Sequence, residues 1–276
     1  MNNIVDAFLF YNEIDLLKAR LEYLGPYVNK FLIVESNIDF AGKTKPHFLK
    51  EQLTNLPFSE KISYMPLDIN LRSITWRYRS LRYYNKRSRY LWKIQNAQRN
   101  AIAEMLRTYK KELSSTKFVL FGDLDEFPNI QLIENLIAGK LELTTAQTLR
   151  QKMFYYRMDI AEQKETWSGT LCCPLQEFSL HQPHEWRSLR EKLPFIEGGG
   201  YHFSYFMSPS KIQEKMNAIV EVEKLNSFSD MSIENIEKII HSHQDLYGRE
   251  MIFEKQANAV PDQLKIILEK NLCNLS

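Results

Sequence analysis

Asp123, Asp125 and Glu126 crowd the end of an apolar run, Phe118 to Phe121, with Gly122 at the break. Carboxylates at the C-terminal end of a buried strand occupy the usual ligand position of an open α/β sheet. Oxygen-only donors suit a hard divalent cation, Mn²⁺ or Mg²⁺, which keeps coordination positions free for phosphate oxygens. The Asp-x-Asp therefore reads as a metal–diphosphate site. The same acidic residues would equally serve as a turn capping the helix that Pro128 is expected to open. A pattern this short has many accidental matches, so both readings stand at this point.

A second group is basic. From Ile69 to Ala103 there is no acidic residue, while nine basic ones run from Arg72 to Arg99, interleaved with Trp76, Tyr78, Tyr83, Tyr84, Tyr90 and Trp92. Arginine with aromatics fits a loop gripping a diphosphate or an acceptor sugar, a membrane head group, single-stranded nucleic acid, or a solvated loop. His202 follows the Gly198–Gly200 triplet in an aromatic segment. It could give a nitrogen to the same cation as Asp125, or be a core histidine bonded to backbone. His241 and His243 lie in a polar helical tail, where surface placement is expected. No G-x-S-x-G, P-loop or G-x-G-x-x-G occurs, which argues against a serine hydrolase, a P-loop NTPase and a dinucleotide enzyme.

The elements that must position these residues follow from periodicity. Ile4 to Phe10 is an apolar run expected to form a buried parallel strand. Ile14, Leu17, Leu21 and Leu24 then share one helical face, and Gly25-Pro26 stops the helix. Phe31 to Val34 is the second strand, ending in Glu35, so the first 40 residues make a right-handed βαβ unit. Further strands are expected at Ile62–Leu67 and Phe118–Phe121, with a long helix over Tyr90–Lys111 between them. This alternation is that of an α/β domain with ligands at the strand carboxyl ends. Thr144–Asp159, Gly169–Leu180 and Glu197–Phe206 read as later strands, and helical periodicity dominates from Ser210 onward. Residues 1–225 are expected to form the main domain, and 226–276 a C-terminal helical extension.

Composition narrows the class. A chain of 276 residues with 44% hydrophobic and 25% charged residues is ordinary for a globular protein. The net charge of +2 does not by itself imply a polyanionic partner. Cys172, Cys173 and Cys273 give neither metal-ligand spacing nor an even disulfide framework, so a reducing compartment is expected. Without a recognisable signal peptide or an apolar run of about 18 residues, the expectation is a cytoplasmic protein, with association at the inner face of a membrane left open.

Several segments taken together resemble glycosyltransferase family 17. They are DAFLFYNEIDLLKARLEYLGPYVNKFLIVESN near the start, FAGKTKP at 40–46, Gln98-Arg99-Asn100, GDLDEFP at 122–128 and GGYHFSYF at 199–206. The resemblance runs in order over roughly residues 4–225. It implies a GT-A type nucleotide-sugar-binding fold, an open and mostly parallel sheet flanked by helices. It further implies a nucleotide-sugar donor, UDP-linked and carrying N-acetylglucosamine in the best-known members. Inverting transfer to a glycan acceptor and a divalent metal complete the picture, and no nucleic acid is expected. By the same resemblance, Asp125 would ligate the metal, His202 would be the late-chain ligand, and Asp123 would meet the ribose or a metal-bound water. Phe10, Tyr11, Asn12, Glu13 and Glu35 would shape the nucleotide pocket, and Arg99 and Asn100 would face the donor. Inversion needs a carboxylate base for the acceptor hydroxyl, for which Glu197, Asp159 and Glu185 are the candidates.

Overall fold

The computed structural model describes residues 3–70, 85–218, 230–256 and 259–272. Most of the basic–aromatic stretch, residues 71–84 and the side chains of 85–89, lies outside the described residues.

The chain begins β1 (Ile4–Phe10), α1 (Ile14–Leu24), β2 (Lys30–Ser36) and β3 (Ile62–Leu67). Along β1, Val5 and Ala7 face one side of the sheet while Ile4, Phe8 and Phe10 face the other, and nearly all are buried. Two apolar faces are what a parallel strand between helices requires. Gly25 ends α1 by donating its N–H to the carbonyl of Leu21 at 2.8 Å. Then come α2 (Asn85–Thr108), β4 (Phe118–Asp123), β5 (Glu126–Pro128) and α3 (Ile130–Ile137). The second half contains β6 (Gln147–Tyr155), β7 (Ile160–Glu162), β8 (Trp167–Pro174), α4 (Leu175–Phe178), α5 (Pro183–Leu189) and β9 (Phe195–Ser204). The chain closes with α6 (Pro209–Ala218), α7 (Ile233–His241), β10 (Phe253–Lys255) and α8 (Asp262–Asn271).

These strands form one mixed sheet in the order β10-β7-β6-β8-β4-β1-β2-β3, with β9 pairing to both β6 and β5. The four strands β3, β2, β1 and β4 are parallel, and β8 adds antiparallel to β4. It is a mostly parallel sheet flanked by helices, as the sequence reading expects. On one face Phe8, Phe31 and Ile33 pack with Leu17 and Leu21 of α1 and Leu264 and Leu268 of α8. On the other, Val5, Leu32 and Val119 pack with Ile102 and Met105 of α2. Each such buried side chain contributes about 1.5–3 kcal/mol, so α8, near the C-terminus, is tied to the helix of the first βαβ unit.

Three local differences from the sequence reading have identifiable causes. The strand expected over Gly169–Leu180 stops at Pro174, which has no N–H for the ladder, and α4 follows. The strand expected to reach Asp159 breaks at Tyr156, whose φ of 61° is left-handed. Pro128 does not open a helix. It ends β5, and α3 is capped by Asn129, whose side chain accepts from Gln131 N–H at 3.0 Å. The acidic residues of the 123–126 turn are therefore not the helix cap. In the C-terminal segment, β10 joins the sheet edge against β7 in addition to the helices expected there.

Candidate active site

β1 lies between β2 and β4, so the chain leaves it in opposite directions and a crevice opens at the strand carboxyl ends. Leu9 pairs with Asp123 there, which sets the acidic turn beside the end of β1. The turn then folds back as β5, placing Glu126 opposite His202 on β9. Phe203 N–H donates to the Asp125 carbonyl at 2.8 Å, locking the two segments together. Gly200 permits that approach, since a Cβ there would stand 2.1 Å from the Phe127 carbonyl oxygen.

Glu126 organises the turn from beneath. It is fully buried, and its Oε1 accepts from Trp167 Nε1 at 2.7 Å and Arg187 Nη2 at 2.9 Å. Its Oε2 accepts from the Asp123 N–H at 3.1 Å and Thr170 Oγ1 at 3.3 Å. Gly122 makes room for that carboxylate, because a Cβ would come within 2.5 Å of Glu126 Oε2 and 2.6 Å of Thr170 Oγ1. Gly122→Ala is accordingly expected to cost about 1–3 kcal/mol by overpacking. Urea denaturation measures it, and an unchanged midpoint would mean that Glu126 moves aside freely. From the α1 side, Arg20 forms a bidentate pair with Asp6, both bonds 2.8 Å and both residues fully buried. Its remaining Nη1 donates to the carbonyls of Leu124 at 3.3 Å, Asp123 at 3.5 Å and Glu126.

The crevice is a pocket of about 220 Å³ lined by Phe10, Tyr11 and Glu13 at and after the end of β1, Ile38–Phe40 after β2, Lys45, Arg99, Asp123, Asp125 and Lys215. Charges are paired across it. Asp123 meets Arg187 and, at 4.0 Å, Arg99. Asp125 lies 3.5 Å from His202 Nε2 and 3.3 Å from Lys215 Nζ, and that ammonium also reaches Glu13 at 3.0 Å. Burial alone would raise the Asp125 carboxyl, but Lys215 and then His202 hold it far below the usual carboxylate range. Burial likewise opposes the charge of Lys215, and Glu13 and Asp125 overcome it, raising its pKa. Arg99 is drawn down to about 10 by burial against the pull of Asp123.

The chain matches the profile of glycosyltransferase family 17 over residues 1–258. It belongs to that family. A search of curated proteins gives no match. Among solved structures, the chain is similar to a glycosyltransferase involved in the glycosylation of the major capsid of PBCV-1, at 12% identity. That alignment covers 71% of this chain and 82% of the other, with a TM-score of 0.27. A nucleotide-diphospho-sugar transferase structure from Desulfovibrio desulfuricans G20 aligns at 9% identity over 90% and 97% of the two chains, TM-score 0.34.

In this family 17 glycosyltransferase the fold gathers many of the residues singled out in the sequence. Phe10, Tyr11, Glu13, Arg99, Asp123 and Asp125 line one pocket, and His202 stands beside Asp125. Asn12 turns away to Glu214, bonding its Oε1 at 3.0 Å. Asn100 accepts from the His184 N–H at 3.2 Å on α5 and is outside the lining. Glu35 is buried behind the pocket, where it holds Lys45 Nζ at 2.9 Å, the Phe48 and Leu49 N–H groups and Tyr64 OH. It positions Lys45, which does face the pocket. Of the three carboxylates considered as base, Asp159 is paired with Arg157 and Lys255, and Glu185 closes the capping box of α5. Glu197 is exposed and lines a second cleft.

Arg20, Arg187 and Lys215 were not singled out by sequence reasoning. Asp6 within an apolar strand was the one signal for Arg20, since a buried carboxylate needs a partner. Among the described residues, no three His, Cys, Asp or Glu side chains group closely enough to hold a metal alone. An ion shared with a diphosphate needs fewer protein ligands. Asp125 with His202, whose Nδ1 is buried without a hydrogen-bond partner, fits such an ion. No helix among the described residues is long and apolar enough to cross a membrane.

Proposed function

We propose that this chain transfers a sugar from a UDP-sugar to a glycan with inversion, using Mn²⁺ or Mg²⁺ held by Asp125 and His202. N-acetylglucosamine is the first donor sugar to test. The observation that supports this reading best is the meeting of Asp125 and His202, 3.5 Å apart, at the switch point of the sheet beside Arg99, Lys45 and Lys215. When bound, the divalent ion supplies positive charge to diphosphate oxygens that grow more negative as the glycosidic bond breaks. Arg99 and Lys215 would bind the same leaving group, and Lys215 would exchange its carboxylate partners for phosphate. Asp123, steadied by Arg187, would orient the ribose or a metal-bound water. Tyr11, Ile38 and Phe40 would enclose the nucleoside. Glu197 is the carboxylate retained as base, taking the proton of the acceptor hydroxyl as the new bond forms.

Thermal-shift measurements with UDP, GDP and CMP, each with and without Mn²⁺, test the donor side. One nucleotide, expected to be UDP, should stabilise the protein only with the metal, by about 2.7 kcal/mol at a hundredfold excess over Kd. Stabilisation by an oligonucleotide and by none of these nucleotides would sink the transferase reading in favour of a nucleic-acid or phospho-ligand binding protein built on the 72–99 stretch.

A further inference from the structure

Because β8 runs antiparallel to β4, with Leu171 opposite Phe121, the start of β8 lies at the same end of the sheet as the acidic turn. Trp167, the first residue of β8, lines a second cavity and packs against residues around the acidic turn. Its ring stacks on His202 at 4.7 Å and 21°, and its indole N–H is held by Glu126. That cavity is a cleft of about 610 Å³, within the range of small-ligand sites.

We infer that this cleft binds the acceptor as a neutral oligosaccharide, an inference resting on the glycosyl-transfer reading. The lining carries five carboxylates against three cations, which disfavours a second phosphate-bearing ligand. Two of those cations are already engaged. Arg249 is bonded to Asp245 at 2.7 Å, and Arg150 stacks on Phe195 at 4.6 Å. Glu197 makes no hydrogen bond or ion pair among the described residues and is exposed to the cleft. A carboxylate free to accept suits sugar hydroxyl donors, which it binds through charge-assisted hydrogen bonds. Phe195 is 51% exposed, unusual for a phenylalanine, and Arg150 occupies one of its faces. The other aromatic face suits the apolar C–H face of a pyranose ring. Trp167, which lines the cleft, stacks on His202, and His202 lies 3.5 Å from Asp125 of the donor pocket, so an acceptor in the cleft would lie on the Trp167 side of the Asp125–His202 pair.

Saturation-transfer NMR on the full chain, with chitotriose, mannotriose and lactose as probes and UDP binding measured on the same samples, tests this. At least one probe should bind the wild type. Phe195→Ala and Glu197→Gln should each weaken that probe about tenfold, while UDP binding by Phe195→Ala stays at the wild-type level. Binding of none of the three probes, or binding unaltered by both substitutions, overturns the inference. If the probes behave as expected but the wild type binds no UDP, the cleft stands and the donor reading falls.

Discussion

Asp125→Ala is expected to abolish Mn²⁺-dependent UDP binding, with affinity falling roughly a hundredfold or more, because even outer partners of a metal site are worth 10–100-fold. The fold should survive the change. Lys215 keeps Glu13 at 3.0 Å, and the backbone of residue 125 still accepts from Phe203 N–H. Titration calorimetry of UDP with Mn²⁺ reads the loss directly, and undiminished binding would remove Asp125 from the site. The pH dependence has a definite sign. The folded carboxyl is depressed, so its contribution is complete above the ordinary aspartate value of 3.8 and fades as pH falls below it. Donor binding should thus show no Asp125 titration near neutrality.

Arg20→Met is expected to cost about 3–5 kcal/mol, the usual penalty for stranding one member of a buried ion pair. Asp6 would be left fully buried without its bidentate partner, and the carbonyls of Asp123, Leu124 and Glu126 would lose a shared donor. The double variant Arg20→Met with Asp6→Leu should regain much of the stability, yet not the donor affinity, because the turn remains unclamped. Urea denaturation with parallel UDP titration separates these effects. A loss under about 1 kcal/mol for Arg20→Met would show that the pair does not support the acidic turn.

The parts legible in the sequence are those set by local pattern. β1 and β3 have the bounds their apolar runs indicate, and Gly25 ends α1 where expected. The family resemblance, and not local pattern, puts Arg99 with Asp123 and Asp125, and all three line one pocket. What stayed hidden depends on contacts between distant segments. Arg187 reads as a solvated residue of a short helix, yet it pairs with Asp123 and Glu126 some 60 positions earlier. Lys215 looks like any helix-surface lysine until α6 is docked beside the turn. The fates of Glu35, Asp159, Glu185 and Glu197 show the same limit: four carboxylates indistinguishable by type are a structural knot, an edge ion pair, a helix cap and a cleft wall.

His202 belongs to a strand paired on both sides, with Glu126 on β5 and Met153 on β6. Asp125 belongs to a turn gripped by Arg20 from one side and β9 from the other. Neither side chain sits on a segment that must become ordered when a ligand arrives. The conformational entropy of bringing these two side chains together is spent during folding, so a ligand that met them there would not have to spend binding energy on assembling them.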